Sequence, residues 1–194
     1  MNKILNKIPA LDNGFVALFS CSHSHENIIE IKRDYFNNEF NEELLKYINI
    51  SMIIKCPLFV QLMLSSSDLY IKVKKHSGKL ETYIPDVSEI KAKSLEISKD
   101  IQYSIEQTSE ALKINPDAYQ TDGCDMFISQ INSPISIYTT LYLSGNLYNW
   151  LEVINKKDLP APIESYRKII NDLVNAEITD MWRLTGEKKK GKRE

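Results

Sequence analysis

The chain has 194 residues, 43% of them hydrophobic and 26% charged, which is the balance of one globular domain with room for a core. Its formal net charge is −2, yet the segment Glu187–Glu194 (EKKKGKRE) is strongly basic, so the preceding body is about −5. Such an acidic body argues against nucleic-acid partners, and no stretch approaches the roughly 18 apolar residues of a membrane span.

In chain order, Asp12-Asn13-Gly14 signals a turn, and the apolar run Phe15–Cys21 behind it predicts a buried strand. Helices are predicted over Glu26–Tyr35, behind a cap near Ser24, and over Glu39–Tyr47. Ile50–Lys55 reads as a strand, and Pro57 suits the first turn of a helix over Leu58–Leu64. Asp86, with Glu89 three positions on, has the form of a capping box, so a helix of about 25 residues is predicted from there. Ile90, Ile97, Ile101, Thr108 and Leu112 would form its apolar face, and Asn115-Pro116 would end it. Ile135–Leu143 is rich in β-branched and aromatic residues and predicts a strand. A short helix follows over Gly145–Ile154. Pro160 and Pro162 open a last helix with Ile163, Tyr166, Ile170, Leu173, Val174 and Met181 on its apolar side. The expected fold is α+β, an antiparallel sheet flanked by long helices. It forms one domain over residues 1–184 with a basic, unstructured tail over 185–194.

Cys21, Cys56 and Cys124 are an odd, scattered set, and Met1–Pro9 is too polar and short for a secretory leader. Both features fit free thiols in a reducing cytoplasm. Abundant Ile, Lys and Asn beside scarce Ala and Arg suggest an AT-rich genome, such as that of a low-GC bacterium or its phage. Cys21, His23 and His25 alternate as strand residues that share a face do, but no fourth ligand accompanies them, so no metal site is assigned.

Several segments, in order, resemble the flavin-dependent thymidylate synthases. Leu11–Val16 (LDNGFV) and Ile31–Phe36 (IKRDYF) are similar to that family's opening strand and following helix. Lys55–Val60 (KCPLFV) resembles the segment before its signature R-H-R-x7-S motif. Ser77–Lys79 (SGK) and Tyr83–Pro85 (YIP) resemble the elements behind that motif. Gly145–Leu151 (GNLYNWL) and Ala161–Glu164 (APIE) are similar to its late helices. The resemblance implies a homotetramer binding FAD and dUMP at sites shared between subunits, with NADPH and a methylene-folate used to methylate C5 of uracil. It places Arg33, Ser66, Ser67 and Asn149 toward the flavin and Ser77, Gly78, Lys79 and Lys156 toward the nucleotide.

The family's chemistry is depleted here. The R-H-R position falls within Ser65–Leu69 (SSSDL), and Leu62 and Met63 replace the R-Q pair before it. The chain holds four arginines, Arg33, Arg167, Arg183 and Arg193, with none between Asp34 and Tyr166. Guanidinium forks are the oriented way to hold a phosphate or a uracil edge, and Lys72, Lys74, Lys75 and Lys79 offer point charge without the fork. The family's histidine-containing insertion before the strand at Ile50 is missing. Asp125 stands near the position of an arginine helix, Ile154 or Lys156 meets a later arginine, and Pro162 replaces a glutamine.

Local readings compete with each of these. Ser65-Ser66-Ser67 could be a hydroxyl nest for an anion or merely the polar end of a helix. Ser77 reads equally as a turn residue. Glu164 is accounted for by the dipole of the helix it opens, and Tyr138, Tyr142, Trp150 and Trp182 by a core or an interface. No Gly-rich nucleotide loop, H-E-x-x-H, G-x-S-x-G or C-x-x-C is present. Two functions follow. One is a binding, structural or non-catalytic subunit, derived from the family and partnered with itself or an active paralogue, with FAD lost. The other is a working FAD-dependent enzyme on a dUMP-like substrate with rebuilt contacts. An unrelated helical interaction module is a third possibility.

Overall fold

The computed structural model describes residues 6–22, 42–74, 81–90, 92–121 and 135–187, and for 42–44, 112–121 and 180–187 the backbone alone. Five strands form one antiparallel sheet: β1 Lys7–Ala10, β2 Gly14–Ser22, β3 Asn49–Pro57, β4 Tyr70–Val73 and β5 Tyr138–Asn146. Their order is β1-β2-β3-β5-β4. The central pair is in register over nine residues, from Asn49↔Asn146 to Pro57↔Tyr138. Four helices are described: α1 Leu58–Ser65, α2 Leu95–Thr121, α3 Leu147–Ile154 and α4 Ala161–Glu187. None is long and apolar enough to cross a membrane.

The pleat explains the core. Ile50, Met52, Ile54 and Cys56 alternate with half-buried Ser51, Ile53 and Lys55, so every second residue of β3 faces the helices. Leu141 and Leu143 of β5 join them, and α3 and α4 close the layer with Trp150, Val153, Tyr166, Ile170 and Val174. Trp150 is fully buried, and its Nε1 donates to the Ile50 carbonyl at 3.0 Å, which satisfies the one polar atom its indole takes inside. Asn146 caps α3 by accepting from the Asn149 amide at 3.0 Å.

The helices cross the sheet at close range, and Gly14 shows how close. A Cβ there would run into the Tyr166 hydroxyl and come within 2.5 Å of the Ala10 carbonyl. The absent side chain lets Tyr166 of α4 donate to the Lys55 carbonyl at 2.9 Å.

Several expectations change. The Asp86–Glu89 capping box forms, but it caps a single 3₁₀ turn, Val87–Glu89, and α2 starts at Leu95. Asn115-Pro116 does not end α2, which continues to Thr121. Nor do Ile97, Ile101 and Thr108 face inward. Ile97 and Ile101 are 44% and 40% exposed, and among the described side chains of α2 Ser98 and Ser109 are buried. Ser98 reaches the carbonyls of Ile90 and Ser94, and Gln102 that of Pro85, so polar contacts seat this helix. The last strand lies three residues later than predicted, and Glu39–Tyr47 is a 3₁₀ helix over Glu42–Tyr47. α4 runs through Glu187, beyond the expected start of the tail. β1 and β4, four residues each, carry a proline or lysines that disguise them. The predicted helix over Glu26–Tyr35 lies outside the described residues. A five-stranded sheet at the centre of the chain overturns the reading as a purely helical module.

Candidate functional site

Four residues named from the sequence meet at the C-terminal end of α1. Lys156, two residues beyond α3, directs its Nζ at the Met63 carbonyl (2.9 Å), Ser66 Oγ (2.5 Å) and Ser67 Oγ (3.0 Å). An ammonium has three protons, and all three have acceptors here. Ser66 Oγ also donates to the Met63 carbonyl at 2.6 Å, so its lone pairs turn toward the lysine. The last carbonyls of a helix attract cations, and Lys156 completes that end. Partial burial, opposed by the Glu152 carboxylate, lowers the pKa of Lys156 from its usual value.

Asn149 belongs to the same knot. Its side-chain amide donates to the Asp68 carbonyl, tying α3 to the turn that leads into β4. Gly145 lies beneath, where a Cβ would fall 2.5 Å from Leu69 Cδ2. The serine run is therefore the polar end of a helix, and two of its hydroxyls accept from the protein's own cation. Arg33, Ser77, Gly78 and Lys79 lie outside the described residues, as do His23, His25, Cys124 and Asp125.

Beside the knot is a shallow depression of about 540 Å³, lined by Asn155, Lys156, Lys157, Asp158, Glu164 and Arg167 among others. Arg167 was not singled out from the sequence. It grips Glu164 through Nε (2.6 Å) and Nη2 (2.5 Å) and donates through Nη1 to the Ile154 carbonyl at 2.7 Å. Hydrogen bonds from this guanidinium hold the Glu164 carboxyl below its usual range. The pair is a stronger account of Glu164 than the helix dipole alone. The i, i+3 spacing of Glu164 and Arg167 was visible in the sequence and could have signalled it. Among the cations lining this depression, Lys156 and Arg167 are already engaged.

A second hollow of about 450 Å³ is lined by Leu11, Asp12, Tyr83, Ile84, Asp86, Glu89, Gln102 and Glu106. Four carboxylates give it a field that repels phosphate. Its wall is a phenol network. Tyr138 donates to Asp12, and Tyr83 donates to Glu89 Oε2 at 2.8 Å. Burial, seconded by those carboxylates, pushes both phenols above their usual range. Lys55, across the sheet from Thr140, pairs with Glu81. No group of three or more possible metal ligands occurs among the described residues.

Ser66, Ser67 and Asn149, the described residues expected to face a flavin, are bound to Lys156 and to the Asp68 carbonyl.

No family model and no curated protein matches the chain. Solved structures do. The chain is similar to a UMP/dUMP methylase, PolB from Streptomyces cacaoi, bound with 5-Br UMP. The identity is 14% and the TM-score 0.70, over 92% of this chain and 97% of that one. The same methylase bound with 5-Br dUMP matches at 14% identity and a TM-score of 0.65, over 89% and 93%. The chain thus shares the fold of that methylase across nearly its whole length.

Proposed function

We propose that this chain is a divergent relative of the flavin-dependent thymidylate synthases that no longer methylates dUMP and serves as a binding, structural or non-catalytic subunit. The observation that carries this reading is the Lys156 knot. The cation and hydroxyls expected to receive a nucleotide and a flavin are spent on one another and on the Met63 carbonyl. To bind a phosphate there, Lys156 must give up at least one of its three hydrogen bonds and gains no guanidinium fork in return. The loss of the R-H-R arginines from the sequence agrees.

A second reading is a working uridylate-modifying enzyme with rebuilt contacts. It is favoured by the match to a UMP/dUMP methylase over 97% of that protein's chain. The absorbance spectrum of the purified protein, together with complementation of a thymidine auxotroph, separates the two. The first reading predicts no flavin band and no growth. A stoichiometric flavin band with growth in the absence of thymidine establishes the second.

A further inference from the structure

Independently of the reading above, the structure assigns the β4–β5 corner of the sheet as a binding surface for single-stranded nucleic acid, through the stacking side chain Tyr142 and the cations Lys72 and Lys74. The register makes this a compact array. Lys72 lies directly across from Tyr142, and Tyr70 across from Ser144, so all four share one face of the sheet. Lys74 continues β4 in step, its amide donating to the Thr140 carbonyl at 2.8 Å. Tyr142 is 41% and Tyr70 70% exposed, and both lysines are exposed. Among the described residues neither lysine has an ion-pair partner. Along β5 the same face carries Thr140 and Ser144, and along β3 Ser51, whose hydroxyl lies 3.0 Å from that of Ser144.

This chemistry suits a strand of nucleotides better than a protein surface. Two tyrosines on a diagonal of adjacent strands stand about 7–8 Å apart at their Cα atoms, near the step between unstacked bases. Lysines beside them neutralise the backbone without reading sequence. The chain's overall negative charge argues against nucleic acid only when charge is averaged over the molecule. Among the described residues at this corner, Lys72 and Lys74 carry uncompensated charge, because the neighbouring Lys55–Glu81 pair cancels itself.

The test is fluorescence anisotropy of the full chain with labelled 12-residue oligo-dT and oligo-U. Binding in the micromolar range is expected, weakening about sevenfold between 50 and 200 mM salt if the two lysines each contact one phosphate. Tyr142→Ala should weaken it about tenfold, Tyr142→Phe should retain it, and the double variant Lys72→Glu/Lys74→Glu should abolish it. All three positions are at the surface, and an unchanged melting temperature confirms that the variants fold. Equal affinity for both oligonucleotides fits backbone-and-stacking recognition, and preference for oligo-U fits additional contacts to the ribose. Three results overturn the assignment: no binding at about 100 µM protein, binding unaffected by the variants and so carried by the basic C-terminal segment, or loss of self-association in Tyr142→Ala, which gives the face to a second copy.

Discussion

Lys156 decides more of the chemistry than any other residue of this chain. Replacing it with methionine takes the ammonium donor from the Ser66 and Ser67 oxygens and one of the donors from the Met63 carbonyl, at a cost of about 1–2 kcal/mol in a partly exposed site. Urea unfolding should show the loss, and Lys156→Arg should not restore it, because a planar fork cannot meet three convergent acceptors. The cysteines offer a second check. Burial pushes the Cys56 thiol up to about 12 and the Cys21 thiol up to about 11, the latter with help from Glu177. A raised thiol pKa means the unfolded chain releases its proton first. The stability these groups contribute is therefore intact below about pH 9 and is lost as pH rises toward their folded values. At pH 8, Cys56 should resist a thiol-directed reagent in the native protein and react fully in denaturant.

At the scale of elements, the contact between α4 and the β1–β2 turn is the tightest constraint. Gly14→Ala places a methyl group against the Tyr166 hydroxyl and the Ala10 carbonyl, and should destabilise the fold by about 1–3 kcal/mol. Tyr166→Phe in the same background should recover part of that loss in thermal unfolding, since it removes the clashing oxygen. Elements with a strong period were legible in the sequence. β2, β3, α1, α3 and α4 lie within a few residues of their expected positions, β2 read from an apolar run, α1 from Pro57 and α4 from its 3.6-residue stripe. The failures have physical causes. A capping box signals a helical start but not its length, so Asp86 misled by nine residues about where α2 begins. Leu95, Ile97, Ile101 and Tyr103 of α2 are exposed, while Ser98, Gln102 and Ser109 lie on its inner side, a polar seam that hydropathy cannot find. β4 is a strand only because β5 pairs with it, a contact about 70 residues away along the chain.

For the whole molecule, the α+β class and its antiparallel sheet were legible in the sequence, and the site was not. The sequence showed that arginines are missing. It could not show that Lys156 turns back onto α1, because that depends on how the loop beyond α3 lies against Ser66 and Ser67. The sheet and helices have the fold of a UMP/dUMP methylase, while Lys156 and Arg167 at the candidate site are committed to the protein itself. The most direct measurement is the melting temperature of the full chain with and without UMP or dUMP at about 1 mM. A site with a dissociation constant of about 10 µM would add about 2.7 kcal/mol at that concentration, a rise of about 5 °C or more. The self-satisfied site predicts no rise with either nucleotide. A saturable rise of that size, lost in Lys156→Met, would contradict it.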